Sequence, residues 1–247
     1  MPEAFQPIAI RPPSDNRALF AVRCLLDLQL LTTFRFLRTE LRACKGRVLD
    51  VGAGQAPWRD LLKHAEYAGL DLESASEFGM QRLPGIVYYD GGRIPFPDGS
   101  FDHILCSEVL EHVPDSGAFV AELSRVLRNG GTLILTVPWS ARLHHLPHDY
   151  FRFTRYALTT LLATGGFTNV RVEERGDDIA VVANKLLVMT IRLLRPRRLW
   201  RAVWTWPLAA VVAPLTIMVL IAAHVSLVLR LGSREDPLGY GVVALKP

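Results

Sequence analysis

Val48, Leu49, Asp50 and Val51 run straight into Gly52-Ala53-Gly54. A short apolar run of this kind reads as a buried strand. A Gly-x-Gly directly behind it marks a sharp turn whose backbone a ligand can approach closely. Together they restrict the chain to α/β architectures in which a ligand sits at the carboxyl ends of the strands. The stretch that follows keeps the same rhythm. Further strands are expected at residues 67–72, 86–89, 101–107, 132–137 and 170–174, with 179–183 as an extension of the sheet. A helix is expected to start over 58–64. Another covers 119–128 and ends at Asn129-Gly130-Gly131, and a third covers 154–164 with Gly165-Gly166 as its stop. Strands alternating with helices build βαβ units and a parallel sheet.

Composition agrees with a packed domain. Of 247 residues, 50% are hydrophobic and 21% charged, which excludes intrinsic disorder. The 18 glycines and 16 prolines follow no period, so collagen and repeat solenoids are excluded. Cys24, Cys44 and Cys106 are scattered, forming neither a disulfide framework nor a metal knuckle, which points to a reducing compartment. The net charge of +4 is mild, and where the charges lie matters more than their sum.

Two regions flank the α/β rhythm. Residues 1–13 carry four prolines and nothing resembling the apolar core of a secretory signal. From Ser14 an amphipathic pattern begins (Leu19, Val22, Leu25, Leu26, Leu28, Leu30, Leu31, Phe34, Leu37, Leu41), with Ser14 or Asp15 as N-cap and Lys45-Gly46 as stop. It reads as one or two helices capping the domain edge. Near the other end, Lys185, Arg192, Arg195, Arg197, Arg198 and Arg201 precede 28 residues, 202–229, without a formal charge. About 20 apolar residues suffice to cross a bilayer. A final apolar run, 240–245, reads as one more strand. If it completes the sheet, residues 202–229 cannot cross a membrane once, because the last strand would be left on the far side. The insertion therefore crosses an even number of times, dips and returns, or lies flat. Pro207 and Pro214 can break the run. Residues 179–194 can supply a second arm, though Lys185 and Arg192 make it a poor spanning helix. The arginines between the arms suit anionic headgroups, and Trp200, Trp204 and Trp206 suit an interfacial belt. A buried lid or a dimerisation hairpin is the soluble alternative. The domain plan is then 1–46 capping helices, 47–184 with 236–247 the α/β domain, and 185–235 a hydrophobic, membrane-associated insertion.

An acidic residue about 20 positions beyond a glycine turn is the usual ribose partner, and Asp71 ends the second strand at that spacing. A dinucleotide fingerprint would place glycine at position 57, where this chain has Pro57. LDVGAGQAPW resembles motif I of the class I S-adenosylmethionine-dependent methyltransferases, and YAGLDLE resembles their motif II. YYDGGRIPFPDGSFDHILCSEVLEHVPD and RVLRNGGTLILTVP resemble the segments that follow in the small-molecule, type 11-like branch. The likeness covers residues 45–175 and the end of the chain. It implies a Rossmann-like α/β fold with a seven-stranded, mostly parallel sheet whose last strand is antiparallel, and S-adenosyl-L-methionine as cofactor. It also implies that Asp50, Gly52 and Gly54 face the methionine part, and that Asp71 takes both ribose hydroxyls with Leu72 beside it. Asp90 would pair with the adenine amine next to Gly91, and Ser107 and Glu108 would line the sulfonium pocket.

An acceptor hydroxyl or amine must lose a proton, and His112, His145 and His148 are the expected bases, with His144 and Asp149 in the same loop. Phe151, Phe153 and Tyr156 are candidates for substrate rings or for core. Glu108-x-x-Glu111-His112 resembles a metal-binding pattern of ubiquinone-pathway O-methyltransferases and small-RNA 2′-O-methyltransferases, with His148 as a later ligand. The alternative is that Glu111 caps or salt-bridges a helix and His112 packs, with no metal. The expected function is methyl transfer to a small or lipid-like acceptor on the cytoplasmic face of a membrane, without nucleic acid. A non-catalytic, cofactor-binding membrane scaffold is the rival, and an NAD-linked oxidoreductase a second.

Overall fold

The computed structural model describes residues 8–247 apart from residue 197. The expected basic cluster therefore has one member, Arg197, outside the described residues, as do the first seven residues of the proline-bearing start.

Seven strands form one sheet: β1 (Gly46–Val51), β2 (Ala65–Leu72), β3 (Ile86–Tyr89), β4 (Phe101–Ser107), β5 (Leu127–Pro138), β6 (Thr168–Arg175) and β7 (Gly239–Leu245). Their order is β3-β2-β1-β4-β5-β7-β6. β1 pairs in parallel with β2 and β4, β2 with β3, and β4 with β5. β7 runs antiparallel to both β5 and β6. The expected Rossmann-like sheet is present, with a long apolar helix before the last strand.

Alternation along the strands builds two cores. Leu49 and Val51 of β1, Ile104 and Cys106 of β4, and Leu133 and Leu135 of β5 face one side. There they meet α3 (Ser116–Val126) through Phe119, Val120 and Leu123, and α4 (Arg155–Thr164) through Leu158 and Leu162. Val48, Leu105 and Ile134 face the other side, under α2 (Leu28–Leu41) with Leu30, Phe36, Leu37 and Leu41. The period of two sorts each strand between the two layers without further instruction.

Several local expectations are corrected. Asn16, not Ser14 or Asp15, caps α1 (Arg17–Leu26) by accepting from Leu19 N–H at 2.9 Å. Asp27 breaks the apolar stretch into two helices by capping α2 through Leu30 N–H. The helix expected over 58–64 is a single 3-10 turn, Arg59–Leu61. Only seven residues separate Pro57 from β2, and Trp58 is drawn into the core, stacked on Phe34 at 6.5 Å. Residues 179–183 belong not to a strand but to α5 (Asp178–Leu194), capped by Asp177. Their apolar positions pack against another helix, a pattern that a five-residue apolar run cannot separate from a strand. Residues 127–131 begin β5 instead of ending a helix, because α3 closes at Val126.

α5 and α6 (Ala202–Leu229) form an antiparallel hairpin between β6 and β7. Asp177 pins its root: one carboxylate oxygen caps α5 through Ala180 N–H at 2.8 Å, and the other accepts from Ser226 Oγ of α6 at 2.6 Å. Farther out, buried Thr190 and Thr216 hydroxyls meet at 2.7 Å. Both ends of the insertion thus stay on the domain's side, as the position of β7 requires.

The return to the sheet can be tested at Gly241. A Cβ there would meet the Phe36 ring at 2.6 Å, so β7 needs glycine to lie under α2. Gly241→Ala should cost about 1–3 kcal/mol by overpacking. Chemical denaturation checks this; an unchanged midpoint would mean that α2 does not press on β7.

Candidate active site

The carboxyl ends of β1, β2, β3 and β4 lie side by side, and most of the expected cofactor residues sit there. At the end of β1 the chain turns through Gly52 and Gly54 with φ of +75° and +54°, a region that favours glycine. Gly52 and Ala53 N–H groups donate to the carbonyl of Leu70 at 2.8 and 3.0 Å, tying the turn to β2. Asp71 completes the tie: its Oδ2 accepts from Gly54 N–H and its Oδ1 from Leu72 N–H, both at 2.8 Å. Burial pushes the Asp71 carboxyl above its ordinary range, against the pull of those two donors. A Cβ added at Gly54 would find only Met80 Sδ, 3.8 Å away, so the backbone there is open to approach.

Asp50 lies under the turn. It is buried, and its Oδ2 accepts from the Tyr67 hydroxyl at 2.9 Å. Burial raises its pKa to about 7, opposed by the Tyr67 hydrogen bond and reinforced by the charge of Asp71. Leu72 packs toward Gly91, whose absent Cβ would meet Leu72 Cδ2 at 3.1 Å. Asp90 is exposed and accepts from Gly92 N–H at 2.9 Å, shaping the turn after β3. At the end of β4, Ser107 Oγ lies 2.9 Å from Thr136 Oγ1. Glu108 adopts φ +55° and its carboxylate meets Arg175 Nη2 at 2.7 Å. Arg175 is buried and also bonds the carbonyls of Val137 and Tyr240 and the Thr33 hydroxyl. Nothing local to residue 175 announces this partner of Glu108, because the two are 67 positions apart.

The histidines gather just beyond. A 3-10 turn, Leu110–His112, follows β4, and residues 139–153 follow β5. The rings of His112, His144 and His145 pack with centroids 4.7–5.3 Å apart. Burial lowers the pKa of all three, keeping them neutral around pH 7. His148 joins through its main chain, its carbonyl oxygen 2.6 Å from His112 Nδ1, while its ring bonds the Tyr150 hydroxyl. Asp149 is gripped by both Nη atoms of Arg152 at 2.7 and 2.8 Å; although burial works against it, these bonds hold its carboxyl below the usual range. Glu111 is fully buried, and burial and then the charge of Glu108 drive its pKa well up. Of the aromatic candidates, Phe153 is core, and Phe151 and Tyr156 are exposed.

Comparison with known proteins adds an independent finding. Residues 49–135 match a family model described as a methyltransferase domain. A probable S-adenosylmethionine-dependent methyltransferase of Mycolicibacterium smegmatis is 35% identical over 101 residues, 38% of this chain and 39% of that protein. A demethylmenaquinone methyltransferase of Staphylococcus haemolyticus is 31% identical over 134 residues, 47% of this chain and 55% of that protein. The matches thus span about half or less of these relatives. A solved structure of a SAM dependent methyltransferase from Archaeoglobus fulgidus superimposes on 94% of this chain and 100% of its own, with TM-score 0.53 and 18% identity.

Asp50 gives the site a pH signature. Its folded pKa of about 7 lies above the ordinary 3.8, so its contribution is complete below about pH 3.8 and is lost as pH rises through about 7. Asp50→Asn keeps an acceptor for Tyr67 but removes the buried charge. The variant should melt higher than wild type at pH 8, its stability exceeding wild type's by on the order of a few kcal/mol, with the gap closing toward pH 4. Thermal denaturation across pH 4–8 checks this, and parallel curves would rule it out.

Proposed function

We propose that this chain, which carries a methyltransferase domain of the class I S-adenosylmethionine-dependent family, methylates a small or lipid-like acceptor at a membrane surface. The transfer reading is carried by the Asp71–Gly54 bond at the end of β2. Each Asp71 oxygen takes one backbone N–H, which leaves each a lone-pair direction for a ribose hydroxyl. The open backbone at Gly54 accommodates the rest of the nucleoside and its amino-acid tail, while Gly52 lets the turn pack against Val109, whose Cγ2 would collide with a Cβ there. Between this turn and β2 the described residues hold only one 3-10 turn. A pyrophosphate is normally received by a helix N-terminus at this point, so the local structure suits a cofactor without phosphates. S-adenosylmethionine, when bound, supplies an electrophilic methyl group on a sulfonium. The protein's share is then mostly positioning. Asp50, by way of Tyr67, and Leu70, by way of its carbonyl, hold the turn in shape. The imidazoles beyond β4 and β5 are the groups to which an acceptor proton can pass, and among them His145 packs against both His112 and His144.

The membrane reading is carried by the surface of α6. The stretch Leu199–Leu229 has a mean hydropathy of 2.4 in its most apolar window, and only 17% of that window is buried. A core helix of a soluble domain would be mostly covered. Here Val203, Trp204, Val211, Ile217, Met218 and Ile221 stand exposed. The apolar residues of α1 that sequence periodicity assigns to the core extend the same surface: Leu19, Val22, Leu25 and Leu26 are exposed. His224 of α6 bonds the Leu25 carbonyl at 2.8 Å, which joins the two faces. Arg195, Arg198 and Arg201 mark the hairpin tip beside Trp200. This arrangement favours entry and return on one side, with arginines and tryptophans at the headgroups. Such an enzyme meets acceptors that reside in the bilayer. The Staphylococcus haemolyticus relative, by its name, acts on demethylmenaquinone, which is consistent with a lipid-like class.

Two measurements test the two halves separately. Asp71→Ala should weaken S-adenosylhomocysteine binding by at least about tenfold in calorimetry, the scale of a lost charge-assisted hydrogen bond, while NAD binds neither form. Equal affinities in wild type and variant would sink the cofactor assignment. The double variant Trp204→Glu/Val211→Glu should stop flotation of the protein with vesicles containing anionic lipid and leave S-adenosylhomocysteine binding unchanged. Wild type that fails to float refutes the membrane half alone.

A further inference from the structure

Two imidazoles and one carboxylate converge beyond β4 in a way that hydrogen bonding within the protein does not explain. His112 Nδ1 lies 2.6 Å from the carbonyl oxygen of His148, and His144 Nδ1 lies 3.0 Å from that of Arg142. A carbonyl oxygen only accepts, so each Nδ1 is the donor and carries the ring proton. In a neutral imidazole the other nitrogen then presents a bare lone pair. The two Nε2 atoms face each other at 3.1 Å. Glu111 Oε1 stands 3.6 Å from one and 3.9 Å from the other. Neither oxygen of this fully buried carboxylate has a hydrogen-bond partner among the described residues. Three acceptors drawn this close repel one another unless they share a proton or a cation.

We propose that Glu111, His112 and His144 form a binding site for a divalent ion of the zinc class, ligated by Oε1 and the two Nε2 atoms. All three ligand atoms lie within 4.8 Å of one another. Ligand bonds of about 2.0–2.2 Å in tetrahedral geometry place donor atoms roughly 3.3–3.6 Å apart, so the separations present need shifts of only a few tenths of an ångström. Two imidazoles favour zinc or a similar transition metal over magnesium or calcium, which prefer oxygen. The surroundings have the form of an outer ligand shell. Both Nδ1–H groups are held by main-chain carbonyls, and His144 Nδ1 also lies 3.3 Å from Asp149 Oδ2, itself fixed by Arg152. Such partners orient ligating histidines and set their tautomer. Two imidazoles and one carboxylate leave a fourth position, and the partly exposed rings of His112 and His144, at 18% and 15%, open it to water or to an oxygen ligand. Glu108 and His148, which the spacing in the sequence suggests as ligands, are not in the set. Glu108 pairs with Arg175, and the His148 ring bonds Tyr150.

The site is independent of the methyl-transfer assignment and is tested without it. The untagged full chain, stripped with a chelator, is titrated with Co²⁺ and then with Zn²⁺. One Co²⁺ per chain is expected, with visible ligand-field bands that Zn²⁺ abolishes, and Zn²⁺ should raise the melting temperature. Glu111→Gln and His144→Ala should each weaken uptake at least tenfold, while His64→Ala leaves it unchanged. Circular dichroism and S-adenosylhomocysteine binding confirm that the variants fold. Absence of stoichiometric uptake overturns the site, as does uptake that survives His112→Ala/His144→Ala. A proton shared between His112 and His144, seen by nitrogen NMR in protein that takes up no metal, would be the competing answer.

Discussion

A single carboxylate ties the glycine turn after β1 to the end of β2. Asp71 reaches back from the end of β2 to the N–H of Gly54, and the carbonyl of Leu70 takes the N–H groups of Gly52 and Ala53. Without these bonds the glycine turn would be a loop with several accessible conformations, since two of its residues lack a side chain to restrain them. With them, the open backbone is held at one place relative to β2. The second row of support lies beneath: Tyr67, two pairs of residues before Asp71 on the same strand, bonds the buried Asp50. Both acids of this pair are pushed up by burial, and their mutual repulsion adds to it for Asp50. The turn is thus stabilised by groups that cost the fold something to bury, a pattern more typical of sites than of plain scaffold.

The strands were legible because each is a short apolar run whose alternate residues serve two layers. Val48 and Leu49 already show this, one packing under α2 and the other toward α3. Helix against strand was ambiguous where the run was short and its partner distant. Residues 179–183 are apolar because α6 lies along α5; five residues alone do not distinguish that from a sheet neighbour, and only the longer run 179–194 marks a second arm of the insertion. The segment 58–64 has helical spacing, but its seven residues must both bury Trp58 and reach β2, and one 3-10 turn is what remains. The strand-end turn and its tie to β2 were readable from Gly52, Gly54 and Asp71, since turn and acid are each set by spacing along the chain. Arg175 was not, because its role depends on β6 lying beside β7 at the far side of β5. The pairing of His144 with His112 was equally hidden. Spacing pointed to His148, whereas the fold uses that residue's carbonyl and brings the ring of His144 across instead.

Backbone strain falls where the chemistry is expected. Five described residues other than glycine have positive φ, and three of them, Ala56, Glu108 and His145, follow β1, β4 and β5 at the carboxyl edge of the sheet. A non-glycine residue in this region costs energy that surrounding contacts must offset. At Glu108 the offset is visible. Its N–H donates to the Thr136 carbonyl at 2.8 Å and its carboxylate meets Arg175. A bare carboxylate beside a sulfonium would hold the cation by charge alone. Glu108 shares its charge with a buried guanidinium, so its carboxylate is held in one direction.

The insertion repeats this principle on a larger scale. An apolar helix can leave a sheet and return to it only if its root is polar enough to be placed uniquely, because apolar packing alone tolerates sliding. Asp177 supplies that placement by bonding α5 and α6 at once, and Gly232 closes the corner with an N–H to Ser226 Oγ at 3.0 Å. The outer part of the hairpin has Thr190 against Thr216 as its buried polar contact and is otherwise free to meet an apolar environment. The division explains how β7 can lie between β5 and β6 although 63 residues separate the end of β6 from its start. The sheet requires only the root, so the remainder of the hairpin is available for a surface that the sheet does not need.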